Sequence, residues 1–122
     1  MRILLIEDHA ACAEGFLCLM ETYLPEANVV HCTTLADAAR SVEFDGPFAV
    51  IVLDLSLPDA SGTEGLSRLR GLVRETTDTP IIVYTAYPHF EQACLDLGAG
   101  AFCVKANING ADLAALIQRI CD

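Results

Sequence analysis

The sequence predicts an α/β fold in which a five-stranded parallel sheet is covered by helices on both faces, a doubly wound arrangement. Three observations predict it. Five short apolar runs alternate with five segments of helical periodicity along the 122 residues. The runs lack the polar alternation of a half-solvated strand, so each reads as buried on both faces. Polar residues stand at the ends of those runs, where open doubly wound sheets collect their chemistry. The length is below the ~150 residues usual for a domain, so one domain over residues 1–122 is expected.

Each element has its own warrant. Arg2–Ile6 is an apolar run bounded by Glu7-Asp8 and reads as the first strand. Ala13, Phe16, Leu17, Met20 and Leu24 recur at helical spacing, and Pro25 closes that helix. Asn28–Cys32 is the second strand. Thr34-Leu35-Ala36-Asp37 resembles a capping box with Asp in place of Glu, opening a helix to about Val42. Asp45-Gly46-Pro47 is a turn, and Phe48–Leu53 is the most hydrophobic strand. After the loop Pro58–Gly62, a helix over roughly Thr63–Arg74 places Leu66, Leu69 and Val73 on one face. Pro80–Tyr84 is the fourth strand, and Pro88 suits the first turn of the next helix. Gly98-Ala99-Gly100 ends that helix, Ala101–Val104 is the fifth strand, and Asn109-Gly110-Ala111-Asp112 leads into a last helix carrying Leu113, Leu116, Ile117 and Ile120.

Composition narrows the function classes. Seven basic against seventeen acidic side chains leave a net charge of −10, a field that repels phosphate backbones and anionic lipid. Neither nucleic acid nor membrane is therefore an expected partner, whereas cations and basic protein patches are compatible. The opening apolar run is too short for a signal peptide, and no run approaches the ~20 residues of a membrane span. Cys12, Cys18, Cys32, Cys94, Cys103 and Cys121 form no CxxC and no zinc-like cluster with His9, His31 or His89. They read as reduced small hydrophobes of a cytoplasmic protein.

The strand ends carry the chemistry. The first strand ends in Glu7-Asp8, the third in Asp54, the fourth in Thr85 and the fifth in Lys105. If the order of strands reverses between the first and third, three carboxylates converge, and such a group is stable only around a cation. Hard oxygen donors of this kind suit Mg²⁺. Lys105 is the only lysine beside six arginines, and its compact ammonium suits a point contact to phosphate or carboxylate. The Thr85 hydroxyl either donates to a phosphoryl oxygen or caps the local backbone.

Four segments together resemble the receiver domain of bacterial two-component response regulators: Ile6-Glu7-Asp8-His9, Leu53-Asp54-Leu55-Ser56-Leu57-Pro58-Asp59-Ala60-Ser61-Gly62, Tyr84-Thr85-Ala86 and Gly100-Ala101-Phe102-Cys103-Val104-Lys105. The match is ordered and spans nearly the whole chain. It implies a flavodoxin-like strand order 2-1-3-4-5, as in chemotaxis-regulator-like proteins. It implies that Asp54 accepts a phosphoryl group as a carboxylate nucleophile, from a sensor histidine kinase or a phosphotransfer protein. It implies Mg²⁺ held by Asp8, Asp54 and the Ser56 backbone carbonyl, with Glu7 acting through water. Lys105 is then the residue that holds a phosphoryl oxygen, and Thr85 and Phe102 are the switch pair, remodelling Pro88–Leu97 and the fifth strand. The resemblance implies no enzyme beyond self-phosphorylation and autodephosphorylation. Asp8-His9 and the following Ala13-Glu14-Gly15-Phe16 resemble receivers that often precede helix-turn-helix output domains, which points to an output domain after residue 122 and a role in transcription. A stand-alone regulator and a part of a hybrid kinase stay open as alternatives, as does a phosphorylation-dependent dimer.

The chain departs from the family in three places. The acidic pair is Glu-Asp rather than Asp-Asp, Ala106 replaces a common proline so that the turn after Lys105 is expected to differ, and Phe102 lacks the hydroxyl of the usual tyrosine. A phosphatase of the haloacid dehalogenase type is the competing enzyme reading, but it wants a second Asp where Ser56 stands. A flavin or nucleotide carrier wants a Gly-rich loop where Glu7-Asp8 stands. A degenerate receiver that only binds proteins needs none of the phosphorylation residues. The resemblance places Ser56 and Tyr87 beside the acceptor: Ser56 is too short to orient an attacking water well, while Tyr87, held extended by Pro88, either covers the phosphoryl group or points to solvent or a partner.

Overall fold

The computed structural model describes residues 1–76 and 78–122, with the backbone alone described for 74–76. Five parallel strands stand in the order 2-1-3-4-5: β1 (Arg2–Ile6), β2 (Asn28–Cys32), β3 (Val50–Leu53), β4 (Ile81–Thr85) and β5 (Ala101–Val104). Between and after them run α1 (Ala10–Tyr23), α2 (Leu35–Phe44), α3 (Glu64–Thr76), α4 (Glu91–Asp96) and α5 (Gly110–Cys121). This is the doubly wound, flavodoxin-like arrangement that the alternating runs predict.

Strand residues alternate between two cores. Leu4, Ile6, Ile51, Leu53, Ile81 and Val83 pack with Leu35, Ala38, Leu66, Leu69 and Cys94 beneath α2, α3 and α4. Ile3, Leu5, Val50, Val52 and Ile82 pack with Ala13, Phe16, Met20, Leu113 and Ile117 beneath α1 and α5. Both faces are covered at β1, β3 and β4, which explains their continuous apolar runs. The edge strands β2 and β5, expected to be buried as well, are only partly so because no strand flanks their outer side.

Several boundaries differ from expectation for local reasons. β3 is assigned only from Val50; ahead of it Ala49 N still donates to the Arg2 carbonyl at 2.8 Å, and the Phe48 carbonyl turns to accept from the Thr79 hydroxyl at 3.2 Å. The helix expected at Pro88 opens instead as a 3₁₀ turn over Pro88–Phe90, in which the rings of His89 and Phe90 lie 4.2 Å apart. Only then does the short α4 begin. Gly98 ends that segment with φ +95°, a backbone conformation that favours glycine, and a Cβ there would also oblige the Arg70 side chain, 2.8 Å away, to move.

The capping box at α2 is half made. Thr34 Oγ1 accepts from Asp37 N at 3.1 Å, but the Asp37 carboxylate turns outward to Arg40. The exposed donors of the first turn go to Asp59 from the loop after β3, which accepts from Leu35 N at 2.8 Å and Ala36 N at 3.0 Å. All six cysteines are free thiols. Cys32, Cys94 and Cys103 are buried as small hydrophobes, but Cys18 is exposed on α1, off the face that Ala13, Phe16 and Met20 bury. No helix among the described residues is long and apolar enough to cross a membrane.

Candidate functional site

The carboxyl ends of β1, β3, β4 and β5 meet at one corner of the sheet. Strand pairing brings them there: Ile6 lies opposite Leu53, and Thr85 opposite Val104. Strand parity then selects the side chains. Counting by two from Ile3 and Leu5 reaches Glu7, from Val50 and Val52 reaches Asp54, and from Ala101 and Cys103 reaches Lys105. All three therefore project toward the α1 and α5 side.

There Lys105 Nζ donates to Glu7 Oε1 and, at 3.3 Å, to Asp54 Oδ2. Glu7 and Asp54 are 3% and 8% exposed, so the ammonium neutralises carboxylates that water scarcely reaches. Asp54 Oδ1 also accepts from Ser56 N at 3.4 Å. One oxygen from each of Glu7, Asp8 and Asp54 can lie within 4.8 Å of the others. Asp8 is the exposed member, and Glu7 Oε2 is buried with no hydrogen-bond partner.

Burial, then the neighbouring Asp54, pushes the Glu7 carboxyl above the usual carboxylate range, against the pull of Lys105. Burial also acts most strongly on Asp54, but Glu7 and the Lys105 charge together outweigh it and hold Asp54 below that range. Burial works against the Lys105 ammonium too, yet its hydrogen bond to Glu7 and the Asp54 charge raise its proton affinity. The corner thus carries a charged lysine, an ionised Asp54 and a Glu7 that holds its proton more readily than a free glutamate.

Thr85 is wholly buried at the end of β4, where its hydroxyl accepts from Tyr87 N at 3.5 Å. Phe102 is partly buried, packed against the α3 and α4 side and bordering a groove with Pro88, Glu91 and Ile108. Thr85 follows Ile81 and Val83 by strand parity, so Thr85 and Phe102, the expected switch pair, face the α3 and α4 side, opposite to Glu7, Asp54 and Lys105. The chain after Lys105 closes in a 3₁₀ turn over Lys105–Asn107.

A cavity of about 340 Å³ opens on the cluster, lined among others by Asp8, Cys12, Asp54, Ser56, Tyr87 and Lys105. Tyr87 has the extended backbone expected before proline, φ −106° and ψ 97°, and is 45% exposed. Sequence reasoning missed two neighbours. Tyr84 places its ring 5.6 Å below the Lys105 ammonium, and parity along β4 could have found it. Cys12 reaches the cavity from α1, for which the sequence carries no signal.

The comparisons with known proteins bear on the family and the fold. The family model of the response regulator receiver domain matches residues 3–118. The cell cycle response regulator CtrA of Brucella ovis is 34% identical over 101 residues, covering 83% of this chain. The match takes in 41% of that regulator, so the chain spans less than half the length of this relative. Among solved structures, a CheY-like response regulator receiver domain protein from Methanospirillum hungatei superposes with a TM-score of 0.83 at 25% identity, over 99% of this chain and 93% of that one. The receiver domain of a sensor histidine kinase from Pseudomonas aeruginosa, solved with a magnesium ion in its active site cleft, gives a TM-score of 0.81 at 24% identity, over 98% and 96% of the two chains. At that identity the likeness is one of fold.

Proposed function

The chain belongs to the response regulator receiver family of two-component systems, and from that premise we propose that Asp54 is its phosphoacceptor. The observation that carries the reading is the Lys105 ammonium hydrogen-bonded to both Glu7 and Asp54 at the rim of an open cavity. An Asp54 Oδ attacks the phosphorus of a phosphohistidine on a sensor kinase or phosphotransfer protein. The O–P bond forms as the N–P bond breaks, and the imidazole keeps the electron pair and takes a proton. Lys105 then moves from the carboxylates to a phosphoryl oxygen, and the Thr85 hydroxyl takes another.

Mg²⁺ suits the donor set, because three hard carboxylates converge and Glu7 leaves one buried oxygen without a partner. Asp8, Asp54 and the Ser56 carbonyl would hold it, with Glu7 acting through water. Bound there, the ion supplies positive charge against the transferring phosphoryl oxygens. In this reading residues 1–122 form one cytoplasmic receiver domain, and inward movement of Thr85 and Phe102 on phosphorylation carries the signal to a downstream output, through regulation of transcription by an attached domain or through dimerisation. Intact-mass spectrometry with Mg²⁺ and a small phosphodonor tests the core of this reading. One phosphoryl adduct is expected in the parent and none in Asp54→Asn, and equal labelling of the two overturns it.

A further inference from the structure

We infer that His31 is a positioning residue for the cation site, its imidazole fixing the Glu7–Asp8 peptide from which the Asp8 carboxylate springs. The inference rests on the reading of Glu7, Asp8 and Asp54 as a Mg²⁺ site. It starts from a ladder whose last rung is made by a side chain. β1 and β2 run parallel with Leu5 opposite His31 and Ile6 opposite Cys32. Asn28 N donates to the Met1 carbonyl at 2.8 Å, and Glu7 N donates to the Cys32 carbonyl at 3.0 Å. A parallel ladder repeats every two residues, so the next donor, the one to the Glu7 carbonyl, belongs to residue 34. Thr34 has already left the strand to become the N-cap of α2. The group that reaches the Glu7 carbonyl is His31 Nε2, at 2.7 Å. A carbonyl only accepts, so Nε2 carries the proton and this bond sets the tautomer.

The consequence lies one bond further on. The Glu7 carbonyl and the Asp8 amide share one rigid peptide plane. The Cys32 carbonyl holds the Glu7 amide in the preceding peptide, and His31 holds the Glu7 carbonyl, so the Glu7–Asp8 plane has little freedom to turn and the Asp8 Cα is fixed with it. Asp8 is exposed, so the backbone beneath it rather than side-chain packing decides where its carboxylate stands. Glu7 and Asp54, by contrast, are buried and bonded to Lys105, and do not depend on His31 in this way. The imidazole is itself exposed on an edge strand, so its removal leaves no core cavity.

Isotope-labelled parent, His31→Ala and His31→Gln are titrated with MgCl₂ alone and followed by backbone amide shifts. His31→Ala is expected to weaken Mg²⁺ binding by about three- to tenfold, the range one lost hydrogen bond allows. Its Asp8 amide signal is expected to move before any Mg²⁺ is added. His31→Gln, whose amide nitrogen can reach the same carbonyl, restores both the affinity and the Asp8 signal. Should His31→Ala fold poorly, His31→Asn, too short to reach the carbonyl, replaces it. Parental affinity in the shortened variants overturns the inference, and so does equal weakening in Ala and Gln, which assigns the effect to the ring at the sheet edge. A parent that binds no Mg²⁺ overturns the metal-site reading itself, and the inference with it.

Discussion

Lys105 lets two carboxylates share a corner that water scarcely reaches, and the consequences of removing it can be stated with sign and size. Burial and Asp54 already push the Glu7 carboxyl upward, and the ammonium is what restrains that rise. Lys105→Met is therefore expected to cost about 1–3 kcal/mol of stability at pH 8. The folded variant holds a Glu7 proton that the unfolded chain releases, so its stability falls as pH rises and the deficit is smaller at pH 5. Urea melts at the two pH values check this, and a deficit unchanged by pH contradicts it. Tyr87, which lines the same cavity, is expected to bear on the lifetime of an acyl phosphate rather than on its formation. Its ring flanks the same opening as Asp54 and Lys105, while Ser56 is too short to orient an attacking water. Tyr87→Ala is expected to speed dephosphorylation several-fold, measured after donor removal with Mg²⁺ in excess. Identical decay in parent and variant shows that the ring does not shield the phosphoryl group.

At the scale of single elements, α2 depends on a residue of another loop. Asp59 accepts from two amides of its first turn, and those two bonds hold the Asp59 carboxyl below the usual range. A depressed carboxyl contributes stability above its unfolded pKa and loses it as pH falls through the folded value, here below about pH 4. Asp59→Ala is expected to lower the thermal midpoint at pH 7, with the gap from the parent narrowing in acid. Because the same loop follows Asp54, the bond also ties α2 to the rim of the candidate site. The segment after β4 is built differently. α4 spans only Glu91–Asp96 behind a 3₁₀ turn, and few of its residues are buried. Such a segment opens at low cost. Phosphorylation is expected to change amide exchange across residues 86–104, and unchanged exchange throughout that span argues against switching through Thr85 and Phe102.

For the molecule as a whole, a ligand that binds only the folded state raises its stability by mass action. Mg²⁺ at ten times its dissociation constant is expected to add about 1.4 kcal/mol, read as a rise in thermal midpoint. That rise should vanish in Asp8→Asn, and an equal rise in parent and variant would place the ion elsewhere. The charge of −10 acts on the same scale, favouring partners with basic surfaces over anionic ones.

What the sequence determined by itself was the periodicity and its punctuation. β1, β2 and β5 stand where apolar runs were bounded by polar or turn residues, because a short run punctuated at both ends is a local signal, even where, as in the edge strands β2 and β5, burial is only partial. The site residues were legible for a related reason: a residue at a strand end needs only its own strand to be recognised. Tertiary structure alone decided how those ends combine. That Lys105 bonds Glu7 and Asp54 depends on strand order and parity across partners 98 and 51 residues apart. That Asp59 caps α2, and that His31 replaces a backbone rung at Glu7, depends on loops leaving the sheet at particular residues. A hydrogen bond between distant segments imposes no period on either of them, so one-dimensional patterning carries no trace of it.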